Sequence, residues 1–156
     1  MKGLTLSQPH ATLMSVGAKR IETRSWSQGT YIGPMAIHSG SRFPEANRGL
    51  IYQEPFRTVL AGLPLDAMPL GVIMAVGFLE DVVPVEMVLR RLSKQERAFG
   101  DYTPGRHAWI FRDVVALREP IPFKGMLNMW VVPAKTKAAI LAQLTKAQIA
   151  KLEVAR

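Results

Sequence analysis

The chain contains no cysteine. That absence excludes a disulfide framework, a cysteine-bearing zinc site and a thiol nucleophile, and it fits a reducing compartment. Long apolar runs are also missing. The longest, residues 67–79, falls short of the ~20 residues a membrane-spanning helix needs and is broken by Pro69, Gly71 and Gly77. The opening MKGLTLSQPH lacks the apolar core of a secretory signal, so a cytoplasmic protein with no membrane partner is expected. There is no Walker loop, Rossmann fingerprint, H-E-x-x-H helix or G-x-S-x-G elbow, which removes the common nucleotide-binding and hydrolase classes. His10, His38 and His107 lie far apart, so no metal and no cofactor are expected. Repeats, low-complexity tracts and Gly/Ser linkers are absent too, and residues 1–156 read as one domain and as a monomer.

What is present is an ordinary globular composition with a strong excess of positive charge. The 156 residues are 48% hydrophobic and 21% charged, and 20 Lys and Arg against 12 Asp and Glu leave a net charge of +8. A chain of this length buries enough surface to need no staple. Its charge favours a polyanionic partner such as nucleic acid.

Periodicity and breakers outline the elements. Residues 4–6 read as a strand, Ser7-Gln8-Pro9 as a helix start and Gly17 as its stop. Residues 19–26 and 31–38 read as extended, and 44–63 as helical but interrupted at Pro55. Residues 70–79 form a doubly buried central strand ending at Glu80 and Asp81. Residues 85–98 read as one amphipathic helix with Met87, Val88, Leu89 and Leu92 inward, 106–117 and 127–132 as strands, and 134–152 as a closing helix. This order implies an α+β domain, a small twisted β-barrel with flanking helices, with Leu6, Ile37, Ile73, Val76 and Ile110 in one continuous core.

The segment Gly17-Ala18-Lys19-Arg20-Ile21-Glu22-Thr23-Arg24-Ser25-Trp26 carries the most chemistry. In an extended chain Glu22, Arg24 and Trp26 share one face, and Lys19 can lean in from the turn. A cation can hold a phosphate, a carboxylate can read a base edge, and an indole can stack on a base. The same spacing also suits a surface Glu22–Arg24 ion pair with Trp26 in the core. Tyr102, Thr103, Arg106 and His107 sit on a Gly/Pro-rich loop, a common home for binding groups. His38 can donate to a phosphate or serve as a structural hydrogen-bonder at a strand end, and Ser39 and Ser41 share that ambiguity. Trp109 and Trp130 read as core.

The run Gly17-x-Lys19-x-x-Glu22-x-Arg24 resembles the G-x-K-x-x-E-x-R signature of the ASCH family, the activating-signal-cointegrator homology domains. Leu4-Thr5-Leu6-Ser7-Gln8-Pro9, Gly33-Pro34-Met35-Ala36-Ile37-His38, Gly100-Asp101-Tyr102-Thr103-Pro104-Gly105-Arg106 with Trp109, and Pro122-Phe123-Lys124-Gly125 with Trp130 are similar to family elements in the same order. His10 departs from the family, which often has Trp after Q-P. Residues 134–156 lie outside the resemblance.

The resemblance implies a PUA-like barrel and a cleft that binds RNA, single-stranded nucleic acid or a nucleoside ligand. Lys19, Glu22, Arg24, Trp26, His38, Ser39, Tyr102 and Arg106 would be its binding residues. Some small members hydrolyse acetylcytidine with a lysine, a threonine and a later glutamate. By that resemblance Lys19, Glu22 and Glu80 would be the catalytic set of an amidohydrolase, with Glu22 standing where the threonine would be. A ribonuclease using Lys19 with His38 or Tyr102 is a third reading.

Overall fold

A computed structural model describes residues 1–27 and 29–153. Six strands, β1 Lys2–Leu6, β2 Ile21–Arg24, β3 Gly33–Ser39, β4 Val72–Pro84, β5 His107–Pro122 and β6 Met129–Val131, form one sheet in the order β2-β5-β4-β3-β1-β6. The β1–β3 pair is parallel and the remaining pairs are antiparallel. The two long strands β4 and β5 lose register between Ile73 and Ala75, Val76 and Phe78, and Leu79 and Asp81. Extra residues at such bulges bend a strand and sharpen its twist, which curls the sheet. The result is α+β, a half-barrel whose edges are β2 and β6.

Side chains alternate across this sheet, so its two faces carry separate apolar clusters. One face packs Leu4, Leu6, Met35, Ile37, Trp109 and Phe111 against helix α1, His10–Ser15. The opposite face packs Ala36, Ile73, Val76, Phe78 and Trp130 against α5, Ala134–Leu141, and α6, Lys146–Glu153. The single continuous core expected for Leu6, Ile37, Ile73, Val76 and Ile110 is therefore divided: Ile73 and Val76 face away from Leu6 and Ile37. Ile110 is half-buried beside Val85 and Val88. A third cluster, including Leu13, Ile51, Phe56 and Phe99, joins the outer side of α1 to the 3-10 turn Gly49–Tyr52, which follows α2, Glu45–Arg48, and to α3, Phe56–Val59.

Two expected helices are broken. Over 85–98 there are two short 3-10 turns, Val85–Met87 and Leu89–Arg91, and then α4, Lys94–Ala98. The break comes from Ser93, whose hydroxyl accepts from the Glu96 N–H at 3.0 Å and starts a new helix. Met87, expected inward, is 66% exposed as a result. The closing helix is likewise two. The Thr145 hydroxyl accepts from the Gln148 N–H, and the Gln148 side-chain Oε1 accepts from the Thr145 N–H, a reciprocal cap that restarts the chain as α6. Residues 154–156 lie outside the described part.

Candidate functional site

The curl of the sheet brings β2 toward β1, although the two strands share no ladder. Helix α1 aims the first functional group. Gly17 adopts a left-handed φ of 78° just past the helix end, and the Ala18 and Lys19 N–H groups both donate to the Leu13 carbonyl. Glycine meets no side-chain penalty in that conformation, which is why it stands at this turn. The turn drives Lys19 inward, where it is fully buried. Its Nζ donates to the carbonyls of Ile21 at 2.5 Å and Phe99 at 2.7 Å, and lies 3.4 Å from Oε2 of Glu22. An ammonium has three donors and no acceptor, and these three oxygens match it.

Glu22 and Arg24 project from the same side of β2, as their spacing requires. Glu22 is held from both sides, because Nε of Arg24 lies 3.2 Å from its Oε1. The Arg24 Nη2 donates across the mouth of the half-barrel to the Thr5 carbonyl on β1 at 2.5 Å. The pair anticipated as a surface ion pair is thus one side of a Lys19–Glu22–Arg24 row lying between two strands.

This row borders two adjoining cavities. The first, about 310 Å³, is lined by Lys19 and Glu22 together with Ser7, His10, Asn47 and Arg106. Asn47 is fixed by donating to the Ser7 hydroxyl and the Gln8 carbonyl. Arg106 is held against the Thr23 carbonyl and the Asp101 carboxylate. Burial, reinforced by the Lys19 charge, lowers the His10 pKa from 6.5 to about 4, so the imidazole is neutral at pH 7 and can both donate and accept. The second cavity, about 410 Å³, lies beyond Arg24 and is lined by Thr5, Lys124, Phe123 and Leu127.

His10 also makes stability depend on pH. Its folded pKa is below its unfolded value, so between pH 6.5 and 4 the unfolded chain binds the extra proton and gains relative to the native state. Acidification across this window is expected to cost about 3 kcal/mol from His10. His38, whose pKa burial also lowers, acts in the same direction. Urea unfolding of wild type and His10→Asn at pH 7 and pH 4.5 measures the difference. Parallel pH profiles for the two proteins would contradict the assignment.

Of the other anticipated residues, His38 and Ser41 line the second cavity, whereas Ser39, Tyr102 and Trp26 line neither. His38 is buried and committed: its Nε2–H donates to the Phe123 carbonyl at 2.8 Å, and Nδ1 accepts from the Thr5 hydroxyl at 3.1 Å. Ser39 is fully buried and its hydroxyl lies 3.4 Å from the Val72 carbonyl within the sheet. Tyr102 packs with Val85, Val88 and Ala108, where burial first, and then Glu96 and Glu22, raises its pKa. Trp26 sits edge-on to Trp109 at 4.8 Å.

Glu80 is not the last residue of its strand, as expected. It lies within β4 beside a register shift and reaches Arg112 at 3.8 Å. Arg112 covers the Phe78 ring at 3.9 Å and donates to the Lys151 carbonyl of α6. Glu80 thus belongs to the face that docks the closing helices, across the sheet from Lys19. Period-two alternation accounts for the separation: Phe78 and Glu80 share a face, and that face packs on α6.

Sequence reasoning missed His10, Asn47 and Glu96. The Glu96 carboxylate accepts from the Arg20 and Ile21 N–H groups, each at 3.0 Å, and pins α4 to the start of β2. A usable signal existed for Glu96, since Ser93-x-x-Glu96 is a capping-box pattern. Asn47 carried none, because its partners lie about forty residues away.

No family model and no curated protein matches the chain. Solved structures do. The chain is similar to the crystal structure of ASCH from Zymomonas mobilis, with a TM-score of 0.55 and 16% identity over 90% of this chain and 93% of that one. A serine-to-alanine variant of that protein gives 0.54 and 16% over 92% and 96%. A tyrosine-to-phenylalanine variant gives 0.54 and 17% over 90% and 96%. The chain therefore has the ASCH fold, PUA-like and α+β, as its motifs implied.

Proposed function

We propose that the chain binds single-stranded nucleic acid, RNA in the first place, in the cleft between β1 and β2. The observation that carries this reading is the Lys19–Glu22–Arg24 row, a carboxylate held between two cations at the wall of a polar cavity about the size of a nucleobase and its sugar. Glu22 accepts from the donors of a base edge, while the neutral His10 imidazole and the Asn47 amide supply neighbouring polar groups. Arg24 and Arg106, forked and permanently charged, meet phosphate. Lys19 organises the row from below, its donors being already engaged. The net charge of +8 supplies the field that draws a polyanion in.

Fluorescence anisotropy with a labelled single-stranded RNA, measured across a salt series, tests this. Affinity is expected to fall with salt by about 0.7 logarithmic units per neutralised phosphate. Arg106→Ala should weaken binding and flatten the slope by about one phosphate. Affinity that does not change with salt would count against the reading. So would steady hydrolysis of acetylcytidine by the wild type.

A further inference from the structure

We infer that the second cavity is a subsite for the adjacent nucleotide, so that the cleft is built for two consecutive nucleotides and not for a free nucleoside. This rests on the reading of the cleft as a nucleic-acid site, and the two can fail separately. Arg24, which lines the second cavity, is ion-paired to Glu22, which lines the first, and the flanking chain segments span both. Thr5 lines the second cavity and Ser7 the first; on the facing strand Arg24 lines the second and Glu22 the first. Residues two apart in an extended chain are about 6–7 Å apart, the length of one nucleotide step in an extended single strand.

The chemistry of the second cavity is that of a nucleotide with its phosphate. Arg24 carries five donors and is tied by two contacts, to Glu22 and to the Thr5 carbonyl. It stands where a phosphate joining two nucleotides would pass, and Lys124 lines the same cavity. The opposite wall is aromatic and apolar. Phe123 is stacked on Trp130 at 4.8 Å with planes 13° apart, which fixes its ring. Leu127, on the rim, is 91% exposed and contributes nothing to the core. A rigid aromatic wall beside an unused apolar rim is a surface on which a base can lie. The loop approaches closely enough to form this wall because Gly125 has no side chain: a Cβ there would stand 2.5 Å from the His38 ring and 2.7 Å from the Thr5 hydroxyl.

Titration calorimetry with a panel of ribodinucleoside monophosphates and the matching ribonucleosides tests the subsite. At least one dinucleotide should bind about tenfold tighter than either of its nucleosides, since a second base stack and a charged phosphate contact each contribute on this scale. In Lys124→Ala and in Leu127→Ser, both at exposed positions outside the core, the ratio of dinucleotide to nucleoside affinity should fall about fivefold. Nucleosides binding as tightly as every dinucleotide, or a ratio unmoved in both variants, would overturn the second subsite while leaving the first cavity's reading intact. No binding of nucleosides, dinucleotides or longer single strands would remove the reading of the cleft itself.

Discussion

Replacing Lys19 by methionine is expected to lower the unfolding temperature by about 10 °C, a larger effect than any single contact at the mouth of the cleft would produce. The side chain keeps its volume in this exchange but loses its charge. The Ile21 and Phe99 carbonyls are left without their donor, and Glu22 loses one of its two cations while remaining largely buried. Breaking a buried ion pair by removing one partner costs about 3–5 kcal/mol. Lys19→Arg should not restore the wild-type value. The position is fully buried, and forcing a larger guanidinium into filled space typically costs about 1–3 kcal/mol. Circular dichroism melts of the three proteins decide the matter. A Lys19→Met protein that melts within about 2 °C of wild type would show that the ammonium does not hold the cleft together. The consequence for function is direct: lost binding in a Lys19 variant reports the collapse of the row before it reports any chemistry at Nζ.

Glu22→Gln should reduce affinity for single-stranded RNA by about 10- to 100-fold, the worth of one hydrogen bond to a charged acceptor. Its effect has the opposite sign under the simplest rival view. If the row were only a phosphate site, removing a negative charge beside Arg24 would strengthen binding of a polyanion. The two outcomes therefore separate a carboxylate that reads a base from one that merely orients two cations. The salt slope should stay as in wild type, because Arg24 and Arg106 remain to meet phosphate. Anisotropy at two salt concentrations gives both quantities. Unchanged or raised affinity would rule out base reading by Glu22.

A control follows from the placement of Glu80. Glu80→Gln should leave RNA affinity within error of wild type, since the side chain faces Arg112 and α6 on the far side of the sheet. A binding defect without a change in melting temperature would contradict that assignment.

Local signals were legible in the chain itself. The helix stop at Gly17, the shared face of Glu22 and Arg24, and the strands around 4–6, 31–38 and 106–117 all follow from residue type and period two or 3.6. So did the α+β class and the barrel-like curl, through motifs in the right order. The capping patterns Ser93-x-x-Glu96 and Thr145-x-x-Gln148 were equally local, and overlooking them turned two broken segments into single helices.

Which side of the sheet a residue faces, and what lies across from it, was settled only by the tertiary structure. Bulges in β4 and β5 shift the alternation partway along each strand, and a one-residue shift sends every later side chain to the other face. That is why Ile73 shares a face with Val76, three residues on, while plain alternation sets Val76 apart from Ile37 and Glu80 apart from Lys19. The same holds for exposure. Lysine at position 19 stood out as a candidate group from its neighbours in sequence, but the Phe99 carbonyl that helps to bury and bind it comes from a helix end eighty residues away. Sequence determined which groups were available and in what local conformation. Only the folded sheet, by curling β2 against β1, decided that Lys19, Glu22, Arg24, His10 and Asn47 would share one cleft, because contacts between elements depend on register and curvature that no local pattern encodes.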